Sequence, residues 1–486
     1  MAWLGRRRRD AASPVLAEPA SPPIARSSLG CCADALRDRS WQRVTNTGRI
    51  CFRSVRRLEM ADHGKQGDGA MRVAIHTLGT RGDVQPYIAL ALGLIERGHR
   101  IQLAGPVQFE SMVRDYGVAF APLPGEFLAL LDTPEGKAAI AGGQGFSAGL
   151  KLLKYARPMM RTLLDAEWEA AKAFTPDIFV HHPKAIAVPH MAEALQCPFI
   201  LASPLPGFTP TSAFPSPMLP FKDLGWFNRI SHLAAIRGAE LLFGKLLSTW
   251  RAEQLGLTRR RTPAIASSGT LYAYSRHVVP VPPDWDNNVL VSGYWFLDSK
   301  NWRPSDDLAA FLAEGEPPIY VGFGSMPGVD PARLTAIVVE ALARKGKRGI
   351  LALGGGALIA EHKSRHVHVI RDAPHDRLFR EVSAIIHHGG AGTTAAALRA
   401  GKPMIICPFF GDQPFWARRI TDLGVGLSLD RRALTVESLT GALAAMDDPL
   451  VRRQANAVAS RIRDEDGVAT AVGFIEAAAN KLLAQP

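Results

Sequence analysis

The stretch that most constrains the fold covers residues 385–394, with the sequence IIHHGGAGTT. Two isoleucines lead into two histidines, three glycines in four positions and two threonines, and an alanine-rich helical pattern opens at Ala395. This order predicts a strand, a tight loop and a helix N-terminus. The free backbone N–H groups of such a terminus and the positive end of its dipole point to one spot, and glycines let a bulky group come close. The stretch therefore predicts an anion-binding site.

The side chains of the same loop indicate a phosphate group as the anion. Thr393 and Thr394 carry hydroxyls that can donate to phosphate oxygens, and His388 adds a third polar group. The loop has neither the Gly-Lys-Ser/Thr ending of an ATP-binding loop nor the G-x-G-x-x-G spacing of a dinucleotide fold. A turn whose glycines serve packing alone is the plain alternative. We disfavour it because a second polar pair, Asp412-Gln413, ends the next strand.

Short apolar strands and helical patterns alternate along the chain after its first 70 residues, which is typical of parallel α/β sheets. One series begins with a strand at 71–77 and a second with a strand at 319–325. Residues 281–304 between them are rich in Pro, Trp and Asn and favour a linker. We therefore predict two Rossmann-like, doubly wound parallel-sheet domains, at 71–280 and 305–486, which face each other across a ligand-binding cleft.

Composition limits the class of protein. The chain has 486 residues with 47% hydrophobic and 21% charged content, which suits a globular protein of two or three domains. No window approaches 18 consecutive apolar residues, so we expect no transmembrane helix. The five cysteines fit no zinc-binding spacing, and Cys197 and Cys407 lie in apolar, strand-like contexts. A reduced, cytoplasmic setting fits this pattern best.

The net charge of +12 is unevenly placed along the chain. Residues 1–70 hold 13 Lys+Arg against 7 Asp+Glu, which is half of the excess. The remainder is too dilute for a nucleic-acid-binding surface, so we expect no nucleic-acid partner. The segment 1–70 has no sustained period and is expected to be a disordered, basic extension that activity does not need. A targeting role for it and a start at Met71 both stay open.

One predicted helix bears on membrane contact. The pattern at 143–173 interleaves Lys151, Lys154, Arg157 and Arg161 with leucines and methionines. Such a helix suits either a lipid surface or an ordinary protein surface with a buried face. A peripheral membrane contact is therefore one of two open interpretations.

Two carboxylates indicate the chemistry of the predicted cleft. Asp412 and Gln413 place an acceptor and a donor side by side, which suits sugar hydroxyls. Asp83 follows the first strand and can take a proton from an attacking hydroxyl, although aspartate is also favoured at a helix N-terminus and both roles can hold. No acidic pair with metal-ligand spacing accompanies the anion site, so we expect no metal. A nucleotide-sugar transferase satisfies all of these features.

Several motifs resemble those of one enzyme family. HGGAGTT at 388–394 and PFFGDQPFW at 408–416 resemble the donor-site signature of UDP-glucose:sterol glucosyltransferases. GTRGDVQP at 79–86 resembles the acceptor-side signature of that group, which is shared with the glycosyltransferases that decorate glycopeptide and macrolide antibiotics. APHD at 373–376 and GFGSM at 322–326 also match. The similarity covers the chain from the first strand onward, in order and spacing.

The resemblance implies a GT-B fold and an inverting, metal-independent transfer without a cofactor. UDP-glucose or a related UDP-hexose would be the donor, a hydroxyl of a sterol-like lipid the acceptor, and Asp83 the general base. The residues that the resemblance assigns to the donor are Gly79, Thr80, Arg81, Ser325, Ala373, Pro374, His375, His388, Gly390, Gly392, Thr393, Thr394, Asp412 and Gln413. Among them, the His388 loop would hold the diphosphate and Asp412 and Gln413 the glucose hydroxyls. Arg377 departs from the many relatives that carry a Trp beside the uracil slot, which puts the nucleotide preference in doubt.

The acceptor side is less constrained. The proline- and phenylalanine-rich stretch that contains Pro206, Phe208 and Phe214 resembles the acceptor half of sterol-type members, and Trp416 would join it. The stretch suits an apolar pocket for a flat lipid or a packed loop with no ligand contact. Carotenoid, hopanoid and macrolide acceptors stay open. A nucleotide-sugar epimerase or hydrolase and a non-catalytic UDP-sugar-binding protein are the alternatives from other classes.

Overall fold

The computed structural model of the protein describes residues 69–125, 145–324, 330–360 and 365–483. Residues 66–486 form one compact unit. The extension predicted at 1–70 lies outside the described residues except for its last two, and so does Ser325.

The first half of the unit is built on a sheet of seven parallel strands in the order β3-β2-β1-β4-β5-β6-β7. The strands are β1 (Arg72–His76), β2 (Arg100–Pro106), β3 (Phe120–Leu123), β4 (Ile178–His181), β5 (Phe199–Ser203), β6 (Gly269–Tyr272) and β7 (Val289–Val291). β4 is buried along its whole length, as expected of a central strand with helices on both faces. β7 lies inside the segment 281–304 that the sequence marks as a linker.

Five α-helices belong to this half among the residues that the structure describes. They are α1 (Arg81–Glu96), α2 (Glu110–Asp115), α3 (Gly145–Phe174), α4 (Val188–Leu195) and α5 (Asn228–Gln254). α1 turns Val84, Ile88 and Leu94 into a core with Val73 and Ile75 of β1. α3 packs Leu164 and Trp168 against the opposite face of the sheet. Helices therefore cover both faces, which is the doubly wound arrangement.

The second half repeats the plan with six parallel strands in the order β10-β9-β8-β11-β12-β13. The strands are β8 (Ile319–Gly322), β9 (Gly349–Ala352), β10 (Val367–Ile370), β11 (Ala384–His387), β12 (Met404–Ile406) and β13 (Gly426–Ser428). The helices are α6 (Asp306–Ala313), α7 (Pro331–Arg344), α8 (His375–Leu378), α9 (Ala391–Arg399), α10 (Gln413–Asp422), α11 (Val436–Met446), α12 (Pro449–Arg463) and α13 (Gly467–Leu483). The prediction of two doubly wound parallel sheets is confirmed.

Each sheet reverses its strand order once, and this reversal marks where a ligand site is expected. In the first sheet the chain leaves β1 toward β2 and returns to place β4 on the other side of β1. In the second sheet β8 stands between β9 and β11 in the same way. Ligands of open α/β sheets bind beyond the carboxyl ends of the strands at such a point. The loops after β1, β4, β8 and β11 are therefore the places to look.

The two halves are joined by two chain crossings. The chain leaves the first sheet after β7, and the C-terminal helix α13 returns from the second half to pack Val472 and Ile475 into the first core. The two crossings touch, because a side-chain carbon added at Gly467 would lie 2.6 Å from the carbonyl carbon of Gly293. Helix α13 is thus part of the hydrophobic core that β1 and α1 build.

Among the described residues, every helix is too short or too polar to cross a bilayer.

Candidate active site

Asp83 lies in the first turn of a helix that starts earlier than its apolar pattern indicates. α1 begins at Arg81, directly after Thr80, so that Asp83 is its third residue. The backbone N–H of Thr80 donates to Oδ2 of Asp83 at 2.7 Å, and the Thr80 hydroxyl approaches the same oxygen at 3.1 Å. Gly79 has a φ of +131°, and any side chain there would overlap the Asp83 carboxylate. The helix start therefore fixes the carboxylate at the end of β1.

The neighbouring strand β4 supplies two partners to the same carboxylate. Nε2 of His182 lies 3.2 Å from Oδ1 of Asp83, and Nζ of Lys184 lies 2.9 Å from Oδ2. The backbone N–H of Lys184 donates to Nδ1 of His182 at 3.1 Å. Because Nδ1 accepts, Nε2 carries the ring proton and donates to Asp83. Oδ2 is thus crowded with donors, while Oδ1 keeps a lone pair open.

These partners decide the charge of Asp83. Burial by itself would raise the pKa of the carboxyl, but the hydrogen bond from His182 and the charge of Lys184 outweigh it and hold the pKa well below its usual value. Burial also lowers the pKa of His182, so its ring is neutral at pH 7. The site after β1 and β4 is therefore a carboxylate at neutral pH, supported by a neutral histidine and a lysine.

His388 follows β11 in the second sheet. This strand lies beside β8 in the same way as β4 lies beside β1. The His388 ring packs between Gly324, at the end of β8, and Gly390, which caps the N-terminus of α9. Burial lowers the pKa of His388 to about 4, with a further contribution from nearby His375. Nδ1 of His388 is buried and makes no hydrogen bond. An unpartnered buried nitrogen beside a helix N-terminus suits an oxyanion ligand.

The other residues of the glycine loop differ in what they present. Gly392 is exposed and Thr393 is half-buried at the start of α9. Thr394 is buried, and its hydroxyl donates to the Gly390 carbonyl one turn back at 2.9 Å. His387 is fully buried and accepts the backbone N–H of Gly389 at 3.1 Å, which shapes the loop.

Asp412 caps the N-terminus of α10, after β12. Nε1 of the buried Trp416 donates to its Oδ2 at 2.8 Å. Burial raises the pKa of Asp412; the Trp416 bond opposes this, and the negative charge of Asp83 adds to the rise. The two carboxylates, on opposite sheets, thus lie close enough to influence each other. The side-chain oxygen of Gln413 accepts the backbone N–H groups of Phe409 and Phe410, so Gln413 also holds the loop before α10.

The segment 373–378, which the resemblance places beside the uracil, lies at the edge where the two halves meet. His375 stacks on Phe379 with ring centroids 4.3 Å apart, and burial lowers its pKa to about 4. Arg81 of α1 pairs with Asp372 at 2.7 Å, next to Ala373 and Pro374. This ion pair bridges the two sheets and is exposed on both sides.

Arg377 stands where many relatives carry a Trp beside the uracil slot, and its side chain bonds to the protein itself. Its guanidinium donates to the Ser299 carbonyl at 2.7 Å. Asp376 accepts the backbone N–H and the hydroxyl of the same Ser299 at 2.9 and 2.8 Å. Helix α8 is therefore fastened to the chain segment that joins the two sheets.

The predicted acceptor residues lie in the loop after β5 and in α10. Pro206 is buried, Phe208 is exposed, and Phe214 packs at 5.7 Å from the Phe415 ring of α10. Trp416 lies in the core behind Asp412. The structure thus brings Phe214 to the second sheet, while Phe208 faces outward.

Three residues anchor the site in roles that the sequence did not assign, although the stretch 182–185 resembles the acceptor half of sterol-type members. They are His182, Lys184 and Asp284. Asp284 fastens the acceptor loop, because its carboxylate accepts from the Thr211 hydroxyl at 2.6 Å and from the Ser212 N–H and hydroxyl at 2.8 and 3.0 Å. For His182 and Lys184, the sequence signal was their position as polar residues directly after β4. Among the described residues, no group of three or more His, Cys, Asp or Glu side chains is placed to hold a metal ion.

Two family profiles match the chain. One, described as "Glycosyltransferase family 28 N-terminal domain", matches residues 73–215. The other, "Erythromycin biosynthesis protein CIII-like, C-terminal domain", matches residues 360–471. The first covers Asp83 and the acceptor loop, and the second covers His388 and Asp412.

Curated relatives match most of this chain. Sterol 3-beta-glucosyltransferase UGT80B1 of Arabidopsis thaliana is 36% identical over 417 residues, which covers 83% of this chain and 67% of that protein. The sterol 3-beta-glucosyltransferase of Emericella nidulans is 37% identical over 424 residues, covering 83% of this chain and 30% of that protein. UDP-sugar-dependent glycosyltransferase 52 of Dictyostelium discoideum is 33% identical, covering 83% and 26%. The chain therefore spans less than a third of the fungal and slime-mould relatives.

Solved structures match the fold. CalG4, the calicheamicin glycosyltransferase, superposes with a TM-score of 0.65 at 20% identity and covers 85% of this chain and 99% of its own. The glycotransferase of kitacinnamycin gives a TM-score of 0.63 at 18% identity, covering 84% and 99%. Both support the GT-B fold that the motifs implied. Given this fold, the motifs on its two facing sheets and 36% identity to a plant relative, the protein belongs to the sterol 3-beta-glucosyltransferase family of GT-B glycosyltransferases.

Proposed function

We propose that the protein transfers a hexose, glucose in the first instance, from a UDP-sugar to the hydroxyl of a sterol or sterol-like lipid, with inversion at the anomeric carbon. The observation that carries the proposal is the contact of α1, which holds Asp83, with the second half through the 2.7 Å Arg81–Asp372 ion pair, next to the strand ends that carry Asp412 and the glycine loop of His388. A base, a sugar-binding carboxylate and an anion site then share one cleft.

The donor half of the proposal rests on α9 and α10. The diphosphate would lie at the N-terminus of α9, where backbone N–H groups and Nδ1 of His388 have room for an oxyanion. Asp412, held in place by Trp416, would accept hydrogen bonds from the sugar hydroxyls. Binding a diphosphate with N–H groups and a helix dipole neutralises charge without a metal ion.

The transfer step follows from the protonation state of Asp83. The acceptor hydroxyl would donate its hydrogen bond to the open lone pair of Oδ1. As its oxygen attacks the anomeric carbon, the proton passes to Asp83 and the bond to the UDP oxygen breaks on the opposite face. The charge that develops on the leaving diphosphate is stabilised at α9. A carboxylate of low pKa is a weak base, so we propose that transfer to Asp83 is late, after the C–O bond has begun to form.

The acceptor class rests on the named relatives and on the acceptor loop. Two of the relatives above are named sterol 3-beta-glucosyltransferases. The loop that contains Phe208 and Phe214 supplies apolar and aromatic surface next to the cleft. A sterol-like acceptor is poorly soluble in water, which favours an enzyme in the cytoplasm that makes peripheral contact with a membrane surface.

A screen of lipid alcohols tests the proposal. UDP release from UDP-glucose is measured with and without each alcohol, and the products are read by mass spectrometry. A glucosylated sterol supports the proposal, whereas UDP release that ignores the acceptor indicates a hydrolase. An epimerised UDP-sugar without release indicates an epimerase.

The variant Asp83→Asn tests the base. It should retain donor binding in calorimetry, because α9 and α10 are untouched, and should lose transfer by roughly a thousand-fold, within the usual range for a general base. Turnover at the rate of the unaltered protein would remove Asp83 from the mechanism.

A further inference from the structure

Exposed apolar side chains are concentrated in one short part of the chain. Of the fourteen large hydrophobic side chains that are exposed among the described residues, eight lie between positions 218 and 242. They are Met218, Phe221, Trp226, Phe227, Ile230, Leu233, Leu241 and Leu242. Trp226 is 75% exposed and Leu241 69%. Single exposed apolar residues are ordinary on protein surfaces, but a concentrated patch marks an interaction surface.

These side chains cluster in one stretch of the chain, which we call the α5 patch and define as residues 218–245. A short 3₁₀ turn, Gly225–Phe227, leads into α5 and stacks Trp226 on Phe227 with ring centroids 3.5 Å apart. Along the helix, Ile230, Leu233 and Leu241 recur at helical spacing and therefore share one side. The patch thus runs from the turn along the first half of α5.

α5 is attached to the rest of the protein near both of its ends. The hydroxyl of Ser231 accepts the backbone N–H of Ser216 at 2.8 Å, and Nε2 of His232 donates to the Phe214 carbonyl at 3.0 Å. Farther along, Nε1 of the buried Trp250 donates to Asp165 of α3 at 2.8 Å. α5 is thus held to the protein at residues 231, 232 and 250, while residues 233–235, 237–238 and 240–242 between these contacts are exposed.

The charge around the patch favours a partner with negative charge. Lys222, Arg229, Arg237 and Lys245 are exposed within it, against two acids of the patch. Lys222 and Arg229 lie near Asp422 and Asp284, at 3.8 and 3.7 Å, whereas Arg237 and Lys245 have no such partner among the described residues. One of the two acids of the patch, Asp223, accepts from the backbone N–H of Gly225 and the side-chain amide of Asn228, so it serves the local turn. Three further exposed arginines follow at 259–261, and the stem of Arg261 lies against Gly244 of α5. Apolar and cationic groups therefore share one surface.

The patch is continuous with the acceptor side of the cleft. His232 on the inner side of α5 lies 5.8 Å from the Phe214 ring, and Phe214 lies 5.7 Å from Phe415 of α10. Arg418 of the same helix donates to the Pro220 carbonyl at 3.1 Å. A surface that holds the α5 patch is therefore next to the residues proposed to meet the lipid acceptor.

We propose that the α5 patch docks the protein on the surface of a lipid bilayer that contains anionic lipids. Trp226, Phe227 and Leu241 enter the boundary between headgroups and acyl chains, and the lysines and arginines contact the anionic headgroups. Aromatic rings stacked beside cations suit this boundary, where one end of a side chain is apolar and the other is wet. The inference rests on the proposed function, because a lipid acceptor would then leave the bilayer directly beside the cleft.

The test is flotation of the full chain with vesicles of phosphatidylcholine, with and without phosphatidylserine, and no acceptor or donor. The unaltered protein should float with the phosphatidylserine vesicles. The double variant Trp226→Glu, Leu241→Glu should bind them at least ten-fold more weakly, whereas Leu450→Glu, at another exposed leucine, on α12, should bind as the unaltered protein does. The double variant Arg237→Gln, Lys245→Gln should lose roughly 10- to 30-fold on anionic vesicles and little on neutral ones.

The controls separate this inference from other outcomes. The basic first 70 residues are present in every variant, so vesicle binding that survives all patch substitutions overturns the proposal. Self-association that Trp226→Glu abolishes, in a protein that binds no vesicles, assigns the patch to a second copy of the chain instead and also overturns it. Glucosyl transfer to a detergent-dispersed sterol should be unchanged in the patch variants. Patch variants that lose vesicle binding but still transfer glucose support the role of the patch in docking. Vesicle binding by a protein that transfers glucose to no lipid alcohol contradicts the proposed function.

Discussion

At the scale of single residues, the site is a carboxylate whose surroundings keep it charged. Asp83 receives hydrogen bonds from Thr80 and His182 and the charge of Lys184, and these overcome the effect of burial on its pKa. Such a group is well oriented but weakly basic. The histidine beside it is neutral, and both of its ring nitrogens are engaged, so His182 acts through Asp83 and is a positioning residue.

His182 should therefore control the pH at which Asp83 titrates. In His182→Leu the hydrogen bond that lowers the pKa of Asp83 is lost while its burial remains, so the pKa rises. The acid limb of the kcat/KM profile should then move to higher pH, since the base is protonated sooner as pH falls. His182→Gln is the matched control, because its amide can still donate to Asp83 and should keep the limb near its original position. Parallel profiles for the two variants would contradict the role of the hydrogen bond.

His388 should take up a proton when a diphosphate binds. In the free protein its pKa is about 4 because of burial, so it is neutral at pH 6. A diphosphate beside it favours the charged ring and raises the pKa, so UDP binding between about pH 4 and 6.5 should be accompanied by proton uptake. Calorimetry in two buffers of different ionisation enthalpy measures this uptake. In His388→Asn, the protein should no longer take up a proton when UDP binds. In His277→Asn, which changes a partly exposed histidine elsewhere, the proton uptake should be retained.

At the scale of elements, a carboxylate from a distant part of the chain helps to hold the acceptor loop after β5. Asp284 accepts from Thr211 and Ser212, and its own pKa is lowered because these hydrogen bonds outweigh burial. The segment that follows β6 therefore holds the loop in place, and with it the apolar side chains of the loop.

Releasing this loop should weaken acceptor binding and spare the donor. Asp284→Ala removes three hydrogen bonds from the loop and should raise KM for the lipid acceptor by roughly ten-fold, since unpaired part-buried groups cost about 1 to 3 kcal/mol. The affinity for UDP should stay the same in calorimetry. Asp286→Ala is the control, because this neighbour caps only Asn288. An equal rise in both variants would indicate a general effect of the segment.

Elements with a long periodic pattern were predicted closely from sequence, and short ones were not. The sequence of α7, Pro331–Arg344, has an aspartate cap, a proline start and a sustained apolar face, and these signals agree on its bounds. Strand β7 was missed, because its three residues, Val289–Val291, lie in the segment 281–304, whose Pro, Trp and Asn content indicates a linker.

The site was predictable in its parts but not in its pairing. Asp83, His388 and Asp412 each follow a strand and could be named from local pattern. The contact of Asp83 with His182 depends on β1 lying beside β4, with His76 opposite His181. That register is set by packing of the whole sheet, about a hundred residues from Asp83 along the chain, and no local pattern encodes it.

At the scale of the whole molecule, the end of the chain stabilises its beginning. α13 buries Ile475 completely in the core built from β1 and α1. Ile475→Ala should lower the free energy of unfolding by about 2 to 5 kcal/mol, as large-to-small changes in cores do. Urea unfolding measures this loss, and Leu450→Ala on the exposed side of α12 should change stability by less than about 0.5 kcal/mol. A small effect at Ile475 would show that α13 is only loosely held.

The contact between Gly293 and Gly467 has a mechanical consequence. Both crossings of the chain between the halves pass through one point, where two backbones lie against each other. This point is one of several places where the halves touch, and the exposed Arg81–Asp372 ion pair is another. We expect a rotation of one half about the crossing point to change the distance between Asp83 and Asp412 while each sheet stays intact. Because the negative charge of Asp83 raises the pKa of Asp412, the pKa of Asp412 should fall as the distance between the two carboxylates grows.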